Sequence, residues 1–255
     1  MDPRPVQIER MRPEQLNAAC KQFPVAYIPV GAMEFHGYHL PVGLDGLKAH
    51  GLLKNVAEKF GGLVAPAIFH GNGGEHAPFE WTWMIDRYTL SSLIKSVMLG
   101  LEKSGIKVIV ILSGHYPNHD LMPELIAEYQ KEGGKCKVIA LKEHEAWSPD
   151  EEMRGDHAAK WEGSFLMALE PDTVDYQKTK VGANGKTPAD FPPVKPVVEG
   201  GWWFEKNKEH PWFGVATCMG SDPSQASKEL GEDAIKTFVD YLGNRVTETL
   251  SKITP

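Results

Sequence analysis

The 255-residue chain has little to offer a polyanion. Its 27 Lys and Arg are outnumbered by 34 Asp and Glu, the formal charge is -7, and no basic run would neutralise a row of phosphates. Nucleic acid is therefore not expected as a partner. Long apolar runs are missing too. The stretch 108–112 is typical of the longest, far short of the roughly 20 residues that cross a bilayer, so no membrane partner is expected. Residues Met1 to Arg4 open no apolar segment of the kind a secretory signal needs. Cysteine is scarce: Cys20, Cys136 and Cys218 are odd in number and far apart, which excludes a CxxC metal site and argues against a disulfide framework. A reducing, cytoplasmic setting is the expectation. There is no internal repeat and no low-complexity tract. The glycine-rich stretch 70–83 lacks the Lys-Ser/Thr of a phosphate-binding P-loop, so it reads equally as a surface turn or a site-lining loop.

What is present is patterned. Apolar runs at 25–30, 63–69, 107–112 and 137–141 read as buried strands. Segments with helical spacing stand between and around them, at 8–21, 47–60, 90–103, 121–132, 155–169 and 222–249. Gly61-Gly62 and Gly133-Gly134 serve as helix stops, and Ser221 or Asp222 as a start. The strand at 107–112 is apolar without interruption after Lys107, as a parallel strand covered on both faces should be. Strand and helix in alternation predict one domain over 1–255, a three-layer α/β/α sandwich with a mostly parallel sheet.

The chemistry concentrates just after the first strand. Gly31-x-x-Glu34-x-His36-Gly37-x-His39-Leu40-Pro41, followed by Asp45, sets a glutamate, two histidines and an aspartate in a glycine-rich loop. Imidazole suits Zn, and carboxylate suits Mn, Mg or a bridge between two ions. Glu34 and His36, two apart, point the same way in an extended segment. One histidine alone would read as a satisfied polar loop; the whole set, at the carboxyl end of a strand, points to metal. His115 follows the strand at 107–112 in Ser113-Gly114-His115-Tyr116-Pro117-Asn118 and would reach the same sheet edge. His157 and Glu162 lie in Gly155-Asp156-His157-Ala158-Ala159-Lys160-Trp161-Glu162-Gly163-Ser164. Read as a helix, this puts Glu162 more than one turn below His157. Residues 171–198 form a Pro-rich excursion. The aromatics Trp202, Trp203, Phe204, Trp212 and Phe213 suit either a subunit interface or pocket walls.

These motifs resemble those of the creatininase (creatinine amidohydrolase) family, and the likeness runs from about Val25 to Val246. Ser113 stands for the Asn of the family's Asn-Gly-His, and Ala159 and Gly163 depart from its His-Ala-Gly-x-x-Glu-Thr-Ser. The resemblance implies a metal-dependent hydrolase of C–N bonds other than peptide bonds, with two divalent ions, Zn or Mn, iron being admissible. It implies that Asp45 bridges, that Glu34 and His115 hold one ion, and that His36 and Glu162 hold the other. His157 would be the general acid or base, its ring oriented by Asp156, and Glu34 would count among the catalytic groups as well as the ligands. His39 would support the ligands without joining them. A homo-oligomer is implied, a hexamer among the forms open to it. The substrate would be a small molecule: a cyclic amide, a formamide or a related ring compound. The creatinine-hydrolysing member carries a glutamate two residues after the motif histidine, where this chain has Pro117, so creatinine itself is not expected. Trp81 and Trp83 flank Thr82 where the family has smaller residues and would narrow the pocket. Two alternatives stay open, a peptidase acting on a small modified peptide and a hydrolase of a cyclic keto-sugar or lactone. A non-catalytic binding protein is the remaining one.

Overall fold

The computed structural model describes residues 5–73, 79–147, 156–175 and 221–253. The aromatic set Trp202 to Phe213, residues 74–78 of the glycine-rich stretch and most of the Pro-rich excursion lie outside those residues.

Among the described residues four parallel strands form the sheet: β1 Val25–Val30, β2 Leu63–Val64, β3 Val108–Ser113 and β4 Lys137–Leu141, in the order β2-β1-β3-β4. The helices are α1 Pro13–Gln22, α2 Leu44–Phe60, α3 Arg87–Lys103, α4 Met122–Lys131, α5 Lys160–Leu169 and α6 Lys228–Ile253. The strands alternate two faces. Val25, Tyr27, Val108, Val110 and Leu112 bury against α2, α5 and α6. Ala26, Ile28, Val30, Ile109 and Ile111 bury against the α3 and α4 side. The three-layer sandwich is thus built as the apolar runs require.

Several elements differ from the expectation. The last helix starts not at 222 but at Lys228 and runs to Ile253; Asp222 caps a separate 3₁₀ turn, Pro223–Gln225, ahead of it. The helix over 8–21 is broken: a 3₁₀ turn at Ile8–Arg10 is followed by α1, with Arg12 extended ahead of Pro13. A residue before proline is pushed out of the α region, so the break falls there. The strand at 63–69 pairs regularly only over Leu63–Val64. Pro66 has no N–H to give the ladder, and the chain rejoins β1 at a single bridge, Val30 to Ile68.

The order positions the site. From β1 the chain moves outward through α2 to β2, then crosses through α3 on the other face to β3. The connections leave β1 and β3 on opposite faces of the sheet, which opens a crevice beyond their carboxyl ends, where ligands bind in such sheets.

Candidate metal centre

The motif loop leaves β1 at Gly31, and α2 begins thirteen residues later, so that Asp45 stands in its first turn rather than in the loop. The start of α2 is drawn hard against the sheet edge. A methyl group on Gly31 would meet Gly46 N at 2.2 Å, and one on Gly114 would meet Asp45 O at 2.2 Å. Only glycine at the ends of β1 and β3 admits this approach. The amide of Asn118, donating to Gly31 O at 3.1 Å and accepting from Asn72 N at 2.8 Å, ties the motif loop to the two neighbouring loops.

The result is a buried cluster. Ligand atoms of Glu34, Asp45 and His115 lie within 4.8 Å of one another, and so do those of His36, Asp45 and Glu162. Asp45 belongs to both groups. Its Oδ1 is 3.5 Å from His36 Nε2 and its Oδ2 is 3.3 Å from His115 Nδ1. Glu34 Oε2 is 2.9 Å from His115 Nδ1, and Glu162 Oε2 is 3.5 Å from His36 Nε2. All five side chains expected as ligands are therefore brought together, in the expected division. Glu34 also converges with His36 and His157.

Several details differ from the sequence reading. The helix α5 starts at Lys160, so His157 precedes it and Glu162 sits in its first turn, not lower down. Ala158 adopts φ 52°, which turns the chain between the two. Asp156 does not face His157: its Oδ2 accepts from Glu162 N at 2.9 Å and so caps α5. His157 Nε2 donates to Phe35 O at 3.1 Å, and its ring stands 4.3 Å from that of His36. His39, as expected, joins neither group; its Nε2 lies 2.9 Å from Ala158 O. The indoles of Trp81 and Trp83 are 71% and 45% exposed, beside the motif loop, where Trp83 N donates to Met33 O at 3.1 Å.

Fit to cations can be judged from the side chains. His36 Nδ1 donates to Glu34 O at 2.9 Å, which fixes the ring and leaves Nε2 as a lone-pair donor. His36 Nε2 and Asp45 Oδ2, both in the cluster, are buried without a well-directed hydrogen bond. Buried polar atoms are ordinarily satisfied, so orphans that converge ask for a partner. The electrostatics agree. Burial alone would lower the His36 pKa, but Asp45 and Glu162 carry it up to about 9. His115 is driven well above the usual range, burial being outweighed by Glu34 and Asp45. Burial would raise Asp45, yet the two imidazoles hold it low. Three carboxylates that pull protons onto two imidazoles would equally pull in divalent cations, which displace those protons.

Sequence reasoning missed Lys48, Glu143 and Tyr116. Lys48 is fully buried, its Nζ 2.7 Å from Glu162 Oε1 and 2.9 Å from Glu143 Oε1. Tyr116 Oη donates to the same Glu143 oxygen at 3.0 Å. A signal existed: Leu44, Lys48, Leu52 and Val56 are spaced by four, so the lysine occupies a core position of the buried stripe of α2.

The model of the creatininase (creatinine amidohydrolase) family matches residues 9–246. The chain is 30% identical over 252 residues to the creatinine amidohydrolase of Pseudomonas putida, covering 88% of this chain and 89% of that one. It is 29% identical to the 3-dehydro-scyllo-inosose hydrolase of Thermotoga maritima, covering 98% of this chain and 85% of that one. It is 30% identical to the mycofactocin precursor peptide peptidase of Mycolicibacterium smegmatis, covering 59% and 60%. A creatinine amidohydrolase crystal structure superposes with a TM-score of 0.76 at 23% identity, covering 96% of this chain and 97% of that one, which bears out the fold. Creatininases of a Zn–Zn type and a Mn form superpose at TM-scores of 0.74 and 0.75, each 24% identical, covering 95% and 96% of this chain and 97% and 98% of theirs. The chain belongs to the creatininase family of metal-dependent hydrolases.

Proposed function

We propose that the chain hydrolyses a C–N bond in a small cyclic amide, a formamide or a related ring compound, using two divalent cations, Zn or Mn. The observation that carries this reading is Asp45, which belongs to two ligand groups at once. Glu34 and His115 would complete one position, His36 and Glu162 the other. Three carboxylates against four cationic charges leave a residual positive charge at the site. When bound, the cations would acidify a water and polarise the substrate carbonyl.

The chain's own groups supply the rest. His157 stands beside His36 and Glu34, half-buried at the rim of the cluster, and its ring is held through Nε2 by Phe35 O. It is placed to take a proton as water oxygen joins the carbonyl carbon. It returns the proton to the nitrogen as the C–N bond breaks. Phe35 itself is buried, stacked on Phe79 at 5.5 Å and set edge-on to Tyr38 at 5.5 Å, which anchors the carbonyl that holds the ring.

A second reading, cleavage of a cyclic keto-sugar, is favoured by one finding: the 3-dehydro-scyllo-inosose hydrolase aligns over 98% of this chain. One screen separates the readings. Protein loaded with Zn or Mn is assayed against hydantoins, formamides, lactones, cyclic keto-sugars and short modified peptides. Turnover of a ring amide or formamide supports the first reading. Turnover confined to keto-sugars replaces it with the second, and turnover confined to peptides overturns both.

A further inference from the structure

We propose that Lys48 is a positioning residue for Glu162, and that it thereby governs one of the two cation positions and not the other. The inference rests on the dinuclear reading above and concerns residues that reading does not use.

Lys48 follows Asp45 by three residues in α2, so the two side chains share a helix face and a single turn. The ammonium group is fully buried, in a stripe whose neighbouring positions are Leu44 and Leu52. A buried ammonium is tolerated only when it is paired and its donors are taken up. Here they go to Glu143 and Glu162. Lys48 and Glu143 together carry no net charge, so the pair leaves the charge of the ligand set unchanged. What it changes is geometry.

Glu162 is gripped at both oxygens. Oε1 accepts from Lys48 Nζ at 2.7 Å. Oε2 accepts from Ala158 N at 2.8 Å and faces His36 Nε2 at 3.5 Å. A carboxylate is planar, so holding Oε1 sets the direction in which Oε2 is presented. Glu143 fixes the lysine in turn, and is itself held by the Tyr116 hydroxyl. The network thus runs from α2 to α5 and ends on the ligand of one group. In the other group, Glu34 meets His115 directly, Oε2 to Nδ1 at 2.9 Å. That contact needs no lysine. The pairing assigns Lys48 to the position formed by His36, Asp45 and Glu162.

The test is calorimetric titration of metal-free protein with Mn²⁺ alone, on wild type, Lys48→Met and the double variant Lys48→Met/Glu143→Gln. The double variant removes the charge pair as a unit and leaves no bare carboxylate at Glu143, so it keeps the test open if the single variant fails to fold. Expected is a wild type with two binding events, and variants in which one weakens at least tenfold while the other stays within threefold. His115→Ala and His36→Ala backgrounds identify which is which: Lys48→Met should weaken the single event left in His115→Ala and spare the one left in His36→Ala. Full recovery of both events in the double variant would overturn the proposal, because Lys48 would then serve only to neutralise Glu143. Equal weakening of both, or tighter binding, would overturn it as well. Fewer than two events in the wild type would instead sink the dinuclear reading itself.

Discussion

Gly114 lies directly beneath Asp45: a methyl group on the glycine would stand 2.2 Å from the aspartate's carbonyl oxygen. The end of β3 and the first turn of α2 are thus in backbone contact, and Asp45, which belongs to both ligand groups, stands where it does because Gly114, like Gly31, has no side chain. Gly114→Ala should push α2 off the sheet edge. Overpacking of this kind costs about 1–3 kcal/mol, so the variant should melt lower. It should also lose metal, since Asp45 is shared by both groups. Thermal denaturation with elemental analysis checks this; a variant with full metal content would show that the helix can retreat without moving the carboxylate.

Asp45→Ala should remove both cations and all turnover, whereas His157→Ala should keep the metal and lose turnover by about two orders of magnitude or more, the usual worth of a general acid or base. The comparison has bite because His157 converges with Glu34 and His36 closely enough to be a ligand itself. Metal analysis of the two purified variants decides. Equal loss in both would make His157 a ligand and leave the proton carrier to be found elsewhere.

The sandwich and the convergence of the five side chains are readable in the sequence for physical reasons that can be named. Strands β1 and β4 are legible to the residue because their apolar runs stand out from the polar or glycine-containing stretches on either side. Glu34, His36 and His115 were legible because they follow such strands. The break at Arg12-Pro13 was in the sequence too, but helical spacing on either side of it masked the stop. Asp156 was misassigned because adjacency to His157 suggested contact, while the positive φ of Ala158 and the late start of α5 send it to cap the helix instead. Lys48 and Glu143 went unseen because a charge on a helix or after a strand is ordinarily solvated. Only the three-dimensional pairing shows that each buries the other.

The pH dependence of stability should carry a mark of His39. Burial pushes its pKa from 6.5 down to about 4, and its Nε2 stays within hydrogen-bond distance of Ala158 O. Between those values the unfolded chain binds the proton and the folded chain does not. Stability contributed by the neutral ring is therefore complete above pH 6.5 and is lost as pH falls toward 4. The span corresponds to about 3.5 kcal/mol at most, at about 1.4 kcal/mol per unit. Urea unfolding at pH 4.5, 6.0 and 7.5, in excess chelator so that metal binding does not contribute, should show wild type losing more on acidification than His39→Gln. Parallel losses would mean that the folded ring titrates normally.

The last prediction concerns creatinine. His115 leaves β3, and the chain at once enters the 3₁₀ turn Tyr116–Leu121 with Pro117 near its start. The ring of Pro117 offers no oxygen or nitrogen to a cation, whereas the creatinine-hydrolysing member of the family has a glutamate two residues after its motif histidine. On the proposed dinuclear reading, one anionic ligand fewer would leave that side of the site more positive and open to a different oxygen, from substrate or solvent. Creatinine turnover should accordingly fall well below about 10⁴ M⁻¹s⁻¹, the lower end of ordinary enzyme efficiency. Pro117→Glu should raise metal affinity at the Glu34, Asp45 and His115 position, because a carboxylate would stand beside His115. Proline at the start of a helical turn is replaceable, lacking only an N–H that has no partner there, so the variant should fold. Steady-state kinetics on creatinine for both proteins, with Mn²⁺ titrations alongside, test this. Efficient creatinine hydrolysis by the wild type would show that Pro117 does not set the substrate. Unchanged Mn²⁺ affinity in Pro117→Glu would show that residue 117 does not face the cations.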